Sequence, residues 1–148
     1  MRIPREIQDR IFEQARAEIP NECCGLIGGK AGAEGEARTL YPARNAEASP
    51  FRYVLDPQDQ LRISDEMEQS GEELAAIYHS HTKSPAYPSQ TDINLALVER
   101  RENGEVVERI QLFPGTIYLI ASLAEGEVAL RGFNIDAVGV HEVELKIE

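Results

Sequence analysis

The run Leu74-Ala75-Ala76-Ile77-Tyr78 passes without a break into His79-Ser80-His81. Consecutive apolar residues at this length read as a strand covered on both faces, and such a strand lies in the middle of a sheet rather than at its edge. The chain is therefore committed to a sheet with layers packed against it, and the histidines sit where the central strand leaves the core. Along a strand, residues i and i+2 project from the same face roughly 7 Å apart. His79 and His81 thus offer both imidazoles to a single point.

The remaining elements follow from periodicity and punctuation. Ile3, Ile7, Ile11, Ala15 and Ile19 recur every four residues with Phe12 beside them, the stripe of an amphipathic helix stopped by Pro20. Cys23 to Gly29 is small and apolar and reads as a buried strand. Arg38 to Ala43, after the glycine-rich turn at Gly32 to Gly35, is a second strand, and Phe51 to Leu55 a third. Asp56-Pro57 is a helix start, with an Asp cap and Pro in the first turn. That helix is expected to pass Leu61 and Met67 and stop at Gly71.

Thr82 to Pro88 holds Pro85 and Pro88 and is loop. Asp92 is expected to open another helix through Leu95 and Val98, closing near Asn103-Gly104. Glu105 to Pro114 shows no decisive pattern. Ile117 to Leu123 reads as a strand paired across Ala124-Glu125-Gly126 with Glu127 to Phe133. Val143, Leu145 and Ile147 alternate with Glu142, Glu144, Lys146 and Glu148, a terminal strand near a sheet edge. The class is α/β or α+β: a mixed, mainly antiparallel sheet with helices packed on it.

A length of 148 residues suits one domain spanning 1–148, with no repeat or linker dividing it. The net charge of −11, from 26 acidic against 15 basic residues, disfavours nucleic acid or an anionic membrane as partner. It is compatible with a partner presenting a basic face, and equally with a plain solvated surface. The N-terminus lacks the apolar run of a signal peptide, and no stretch of 18 apolar residues occurs. Cys23 and Cys24 are adjacent, so a disulfide between them would be strained. Both are expected as free thiols in a reducing cytoplasm, and they are too few for a four-thiolate zinc site.

Beyond His81, after seven intervening residues, comes Ser89-Gln90-Thr91-Asp92. Two imidazoles and one carboxylate are the three protein ligands a catalytic zinc takes, the fourth position being left for water. Each piece has an ordinary reading as well. An isolated His-x-His is more often a solvent-facing pair, and Ser89-x-x-Asp92 is a helix-capping pattern. The loop stiffened by Pro85 and Pro88 brings Asp92 back over the strand end, where a cap and a metal ligand are compatible roles.

Together with Pro20-Asn21-Glu22-Cys23-Cys24-Gly25-Leu26, the sequence resembles the JAMM (MPN+) metalloproteases. The likeness continues through Asn45-Ala46-Glu47, Phe51-Arg52-Tyr53 and Asp56 to Leu61. It is nearest to small bacterial members that cleave cysteine from the C-terminus of a ubiquitin-like sulfur-carrier protein. The resemblance implies a curved mixed sheet flanked by helices, in the manner of cytidine deaminases. It implies zinc held by His79, His81 and Asp92, Glu22 as general acid/base, and Ser89 supporting the oxyanion. Glu22 alone would otherwise pass for a surface carboxylate.

The implied activity is hydrolysis of a peptide or isopeptide bond at the tail of a ubiquitin-like protein. Release of cysteine from a sulfur carrier leads, removal of ubiquitin-like tags from lysines follows, and processing of a carrier precursor comes third. The rival from another class is a non-catalytic MPN interaction module, which typically lacks part of the ligand set present here. No H-E-x-x-H helix, deaminase H-x-E…P-C-x-x-C pattern, P-loop or G-x-S-x-G elbow occurs. Cys24 is expected in the core and His141 at the surface, while Tyr87 and Thr82 either line the substrate groove or pack locally. Glu99 to Pro114 has no counterpart in the family pattern, leaving a lid, a homodimer contact or a plain connection open.

Overall fold

The computed structural model describes residues 1–124 and 128–148. In chain order the elements are β1 (Arg2–Ile3), α1 (Arg5–Ala17), β2 (Cys24–Lys30), β3 (Glu36–Ala43), α2 (Pro57–Gln69), β4 (Glu73–His81) and α3 (Gln90–Ala96). They continue as β5 (Leu97–Glu102), β6 (Glu105–Gln111), β7 (Ile117–Ser122), β8 (Ala129–Ile135), β9 (Val140–Val143) and β10 (Lys146–Ile147). Eight strands form one sheet in the order β10-β1-β3-β2-β4-β7-β8-β9, while β5 and β6 pair only with each other. The mixed, mainly antiparallel sheet with flanking helices is the architecture the sequence pattern implied, and its curvature is what the family resemblance implied.

β4 lies between antiparallel β2 and parallel β7. Its Tyr78 packs with Ile7, Ile11 and Ala15 of α1 on one side of the sheet. Its Ile77 packs with Ile63 and Met67 of α2 and with Tyr53 on the other. Cover on both faces is why β2 and β4 read as continuous apolar runs rather than alternating ones. Gly25 of β2 is required by this packing, because a Cβ there would run into the Tyr78 ring. The Tyr78 hydroxyl donates to Gln14 Oε1 at 2.6 Å, and Gln14 Nε2 donates to the Cys24 carbonyl at 3.1 Å, joining α1 to the sheet.

α2 starts as expected, Asp56 accepting from the backbone N–H of Gln58 and Asp59 at 3.0 Å each. Gly71 follows it at φ +66°, in the left-handed region that ends helices. The apolar stripe over Ile3 to Ile19 outruns α1 at both ends. Ile3 is in β1, beyond Pro4, and Ile19 is exposed in the turn before Pro20.

Three expectations are corrected. Phe51 to Leu55 is not a strand. Its one bridge is Leu55 to Asn45, and the Asn45 side chain takes the Arg52 carbonyl and the Val54 N–H that a ladder would have used. The helix after Asp92 ends at Ala96 instead of continuing past Val98 to Asn103-Gly104. Asn103 and Gly104, at φ +52° and +82°, form the turn of the β5–β6 hairpin, since the left-handed pair matches strand twist.

The single terminal strand is two short ones, β9 at one edge of the sheet and β10 at the other. Only Glu144 and Leu145 separate them, so the sheet curls until its edges nearly meet. The β7–β8 pairing is present, but the turn expected at 124–126 lies, apart from Ala124, outside the described residues, as does Glu127. Among the described residues no helix is long and apolar enough to cross a membrane.

Candidate metal centre

The register of β2 on β4 builds the site. Cys24 is opposite His79, the Cys23 N–H donates to Ser80 Oγ at 2.8 Å, and the Ser80 N–H donates to the Cys23 carbonyl at 3.1 Å. One residue further, Glu22 falls across from His81 and on the same face as both imidazoles. Its backbone is fixed by an N–H bond to the Ser49 carbonyl at 2.8 Å and by Asn45 Nδ2, which donates to the Glu22 carbonyl at 3.1 Å.

Glu22, His79 and His81 bring one donor atom each within 4.8 Å of one another. Asp92, from the first turn of α3, places Oδ2 at 3.1 Å from His79 Nε2 and 3.0 Å from His81 Nε2. The two Nε2 atoms are themselves 3.1 Å apart. All four side chains are buried, at 4%, 1%, 3% and 4% exposure for Glu22, His79, His81 and Asp92. Ser89, by contrast, is exposed at the rim. Its Oγ accepts from the Asp92 N–H at 3.1 Å, and its own N–H donates to Asp92 Oδ2 at 2.9 Å. The helix cap and the aim of Asp92 at the histidines are thus one arrangement.

Burial shapes the charges. It lifts the Glu22 carboxyl to about 7, with His81 opposing and Asp92 adding to the rise. The same desolvation would raise Asp92, but its close contacts with the His79 and His81 imidazoles outweigh it and hold this carboxylate well below its usual range. His79 is pushed down by burial. Burial also drives the Cys23 thiol up to about 12, so Cys23 and Cys24 are inert core residues rather than reactive ones.

These residues fit a divalent cation. Three electron-rich atoms, two imidazole nitrogens and a carboxylate oxygen, converge to about 3 Å with too few protons to satisfy all their lone pairs. Glu22 Oε1 is buried beside them with no hydrogen-bond partner among the described residues. His81 Nδ1 is 2.7 Å from the Pro85 carbonyl and so carries the proton, leaving the Nε2 lone pair for a metal. Two nitrogens and one oxygen is the donor set of an open zinc site.

Other residues at the site carry no signal in the motif. Asn45 bonds Glu22, Arg52 and Val54 together. Tyr53, in the irregular segment before α2, stacks on His79 with ring centroids 4.2 Å apart. Tyr53 also walls a cleft of about 200 Å³ shared with Leu55, Ile77, Leu95, Leu112 and Phe113. Thr82 is half-buried, its Oγ1 without a partner among the described residues. Tyr87 meets Phe133 edge-on and stays half exposed, and His141 is exposed as expected.

The sequence profile of the prokaryotic homologs of the JAB domain matches residues 4–132. A CysO-cysteine peptidase of Mycobacterium tuberculosis is 40% identical over 94 residues, a match spanning 64% of this chain and 64% of that protein, just under two thirds. A desampylase of Haloferax volcanii is 32% identical over 125 residues, covering 79% of this chain and 76% of its own. Protein DSY2949 of Desulfitobacterium hafniense, known from a solution structure, superposes with a TM-score of 0.80 at 29% identity, over 100% of this chain and 93% of that one. Metal-competent cluster, curled sheet and family profile agree, and the chain belongs to the prokaryotic homologs of the JAB domain.

Proposed function

We propose that this chain is a zinc-dependent metallopeptidase of the JAMM type, folded as one domain over 1–148, that hydrolyses a peptide or isopeptide bond at the C-terminus of a ubiquitin-like protein. The observation that carries the reading is the convergence of Glu22, His79, His81 and Asp92, four buried side chains from β4, α3 and the loop before β2. His79, His81 and Asp92 would hold the ion. When bound, zinc supplies Lewis acidity toward water and carbonyl oxygen at neutral pH.

Glu22 takes the proton from the attacking water, a task suited to a carboxyl that burial holds near neutrality. It then returns that proton to the departing amine. The Ser89 hydroxyl spends one lone pair on the Asp92 N–H and keeps its own proton to donate to the oxygen gaining charge. The complete set of these groups weighs against a non-catalytic interaction module.

The leading substrate is a small sulfur-carrier protein bearing a C-terminal cysteine, in line with the similarity to a CysO-cysteine peptidase. The desampylase similarity supports a second reading, removal of ubiquitin-like tags from lysines. The net charge of −11 disfavours nucleic acid as a partner, and two buried free thiols suit a reducing cytoplasm. The test incubates the zinc-loaded protein with a carrier–cysteine adduct and, separately, a carrier–lysine conjugate, with and without chelator. Intact mass should show loss of cysteine that chelator abolishes. Loss of the lysine conjugate alone would select the second reading, and inertness toward both would overturn the proposal.

A further inference from the structure

The two histidines are held in different ways. His81 is locked by its Nδ1 bond to the Pro85 carbonyl at 2.7 Å. His79 Nδ1 is buried and has no hydrogen-bond partner among the described residues. A ligating imidazole ordinarily donates its second nitrogen to a carboxylate, carbonyl or water, which fixes both ring plane and tautomer. For His79 that constraint has to come from elsewhere.

Tyr53 lies over it. The rings are 4.2 Å apart at 21°, a stacked pair, while His81 meets the His79 ring edge-on at 5.0 Å and 61°. Tyr53 is only 4% exposed and packs in the core layer with Ile77 and Tyr118. Its backbone is clamped on both sides by one residue: Asn45 Nδ2 donates to the Arg52 carbonyl at 3.0 Å, and Asn45 Oδ1 accepts from the Val54 N–H at 3.0 Å. The same Nδ2 reaches the Glu22 carbonyl. One amide therefore sets the height of the tyrosine ring and the place of the acidic side chain together.

We propose that Tyr53 is a positioning residue of the metal centre, whose stacked ring, seated by Asn45, fixes the His79 imidazole in place of the hydrogen bond it lacks. The inference rests on His79 being a metal ligand. Rotation of the imidazole about χ2 would sweep its edge into the tyrosine face, so the stacked ring keeps Nε2 turned toward Asp92 and His81. The phenol hydroxyl has no part in this, and only the aromatic face is needed.

The test measures zinc affinity of the full chain by competition with a chromophoric chelator, with folding followed by near-ultraviolet circular dichroism. Tyr53→Leu should weaken zinc binding about 10- to 100-fold, the usual effect of removing a group that orients a ligand. Tyr53→Phe should bind as the unaltered protein does. Wild-type affinity in a folded Tyr53→Leu, or equal losses in both variants, would overturn the proposal. His79→Ala is the control: if it binds zinc undiminished, the ligand reading itself falls. If it loses zinc while Tyr53→Leu does not, only the role of Tyr53 falls. A measurement on the zinc-loaded, unaltered protein stands independently of folding in the variants. In long-range proton–nitrogen spectra the His79 Nδ1 proton should resonate upfield of the hydrogen-bonded His81 Nδ1 proton. Equal downfield positions would mean that a hydrogen bond holds His79 after all.

Discussion

At the residue scale, the division of labour between holding and reacting makes separable predictions. Glu22→Gln preserves shape and removes the proton acceptor, so zinc content should stay while turnover falls about 10²- to 10⁴-fold. Activity within tenfold of the unaltered protein would show that Glu22 is not the base. Ser89 Oγ accepts from the Asp92 N–H, and in the mechanism we propose its proton is left for the substrate oxygen. Ser89→Ala should therefore cost about 1 kcal/mol of stability as a lost cap and 10²- to 10³-fold in turnover, with zinc retained. Ser89→Asn should restore the cap without restoring the rate. A denaturation midpoint and a rate that recover together would mean the serine acts only through the helix. The grouping of Glu22, His79, His81 and Asp92 was legible through the family resemblance, since each piece alone has an ordinary reading. Tyr53 and Asn45 lay within the resemblance without a role, because stacking on His79 and bonding to Glu22 are relations across 26 and 23 residues that no local pattern records.

At the scale of elements, legibility followed how local the determinants are. β2, α2 and β4 are fixed by signals inside their own span: unbroken apolar runs, and the Asp56-Pro57 start with the Gly71 stop. The stretch from Leu97 to Gln111 had no such unique signal. Leu95 and Val98 are three apart and satisfy a helical stripe, yet Val98 also faces Ile110 across a strand pair, and Asn103-Gly104 serves as a helix stop or a hairpin turn. The hairpin wins because the chain has no core left for a longer helix to cover. Residues 98–110 are exposed, and the pair is tied to the body mainly at its root, by Gln111 Nε2 donating to Asn134 Oδ1 at 3.1 Å and the Ile135 carbonyl at 2.8 Å. Deleting 99–109 and joining Val98 to Ile110 through a new Asn-Gly turn should leave zinc binding intact and move the melting temperature by less than about 4 °C, the equivalent of about 1 kcal/mol. A larger drop would show that the hairpin supports the core it stands beside.

For the molecule as a whole, the deciding feature is the seam that closes the sheet. A long open sheet presents two edges, and here the two edge strands are consecutive in the chain, β9 and β10. The backbone crosses from one edge to the other through Glu144 and Leu145, and β10 then lies parallel to β1. Beside the β1–β10 ladder, main-chain bonds from Met1 N to the Glu144 carbonyl, Lys146 N to Met1, Glu148 N to Ile3 and Arg5 N to Glu148 hold this seam. Leu145 also fills the space over Gly132 of β8, where a Cβ would come within 2.8 Å of its Cδ2. The final residues thus tie β1 and the start of α1 to β8. The proposed metal site draws its residues from Glu22, β4 and α3, so the seam should govern stability without governing affinity. Truncation after Val143 removes these bonds together with the Leu145 packing and should cost at least about 4 kcal/mol, at about 1 kcal/mol for each bond. Zinc affinity measured well below the new melting temperature should remain that of the intact chain. A truncated protein that keeps its stability would mean the closure is ornamental to the fold. One that folds but no longer holds zinc would mean the curl of the sheet sets the distance between β2 and β4 at the site.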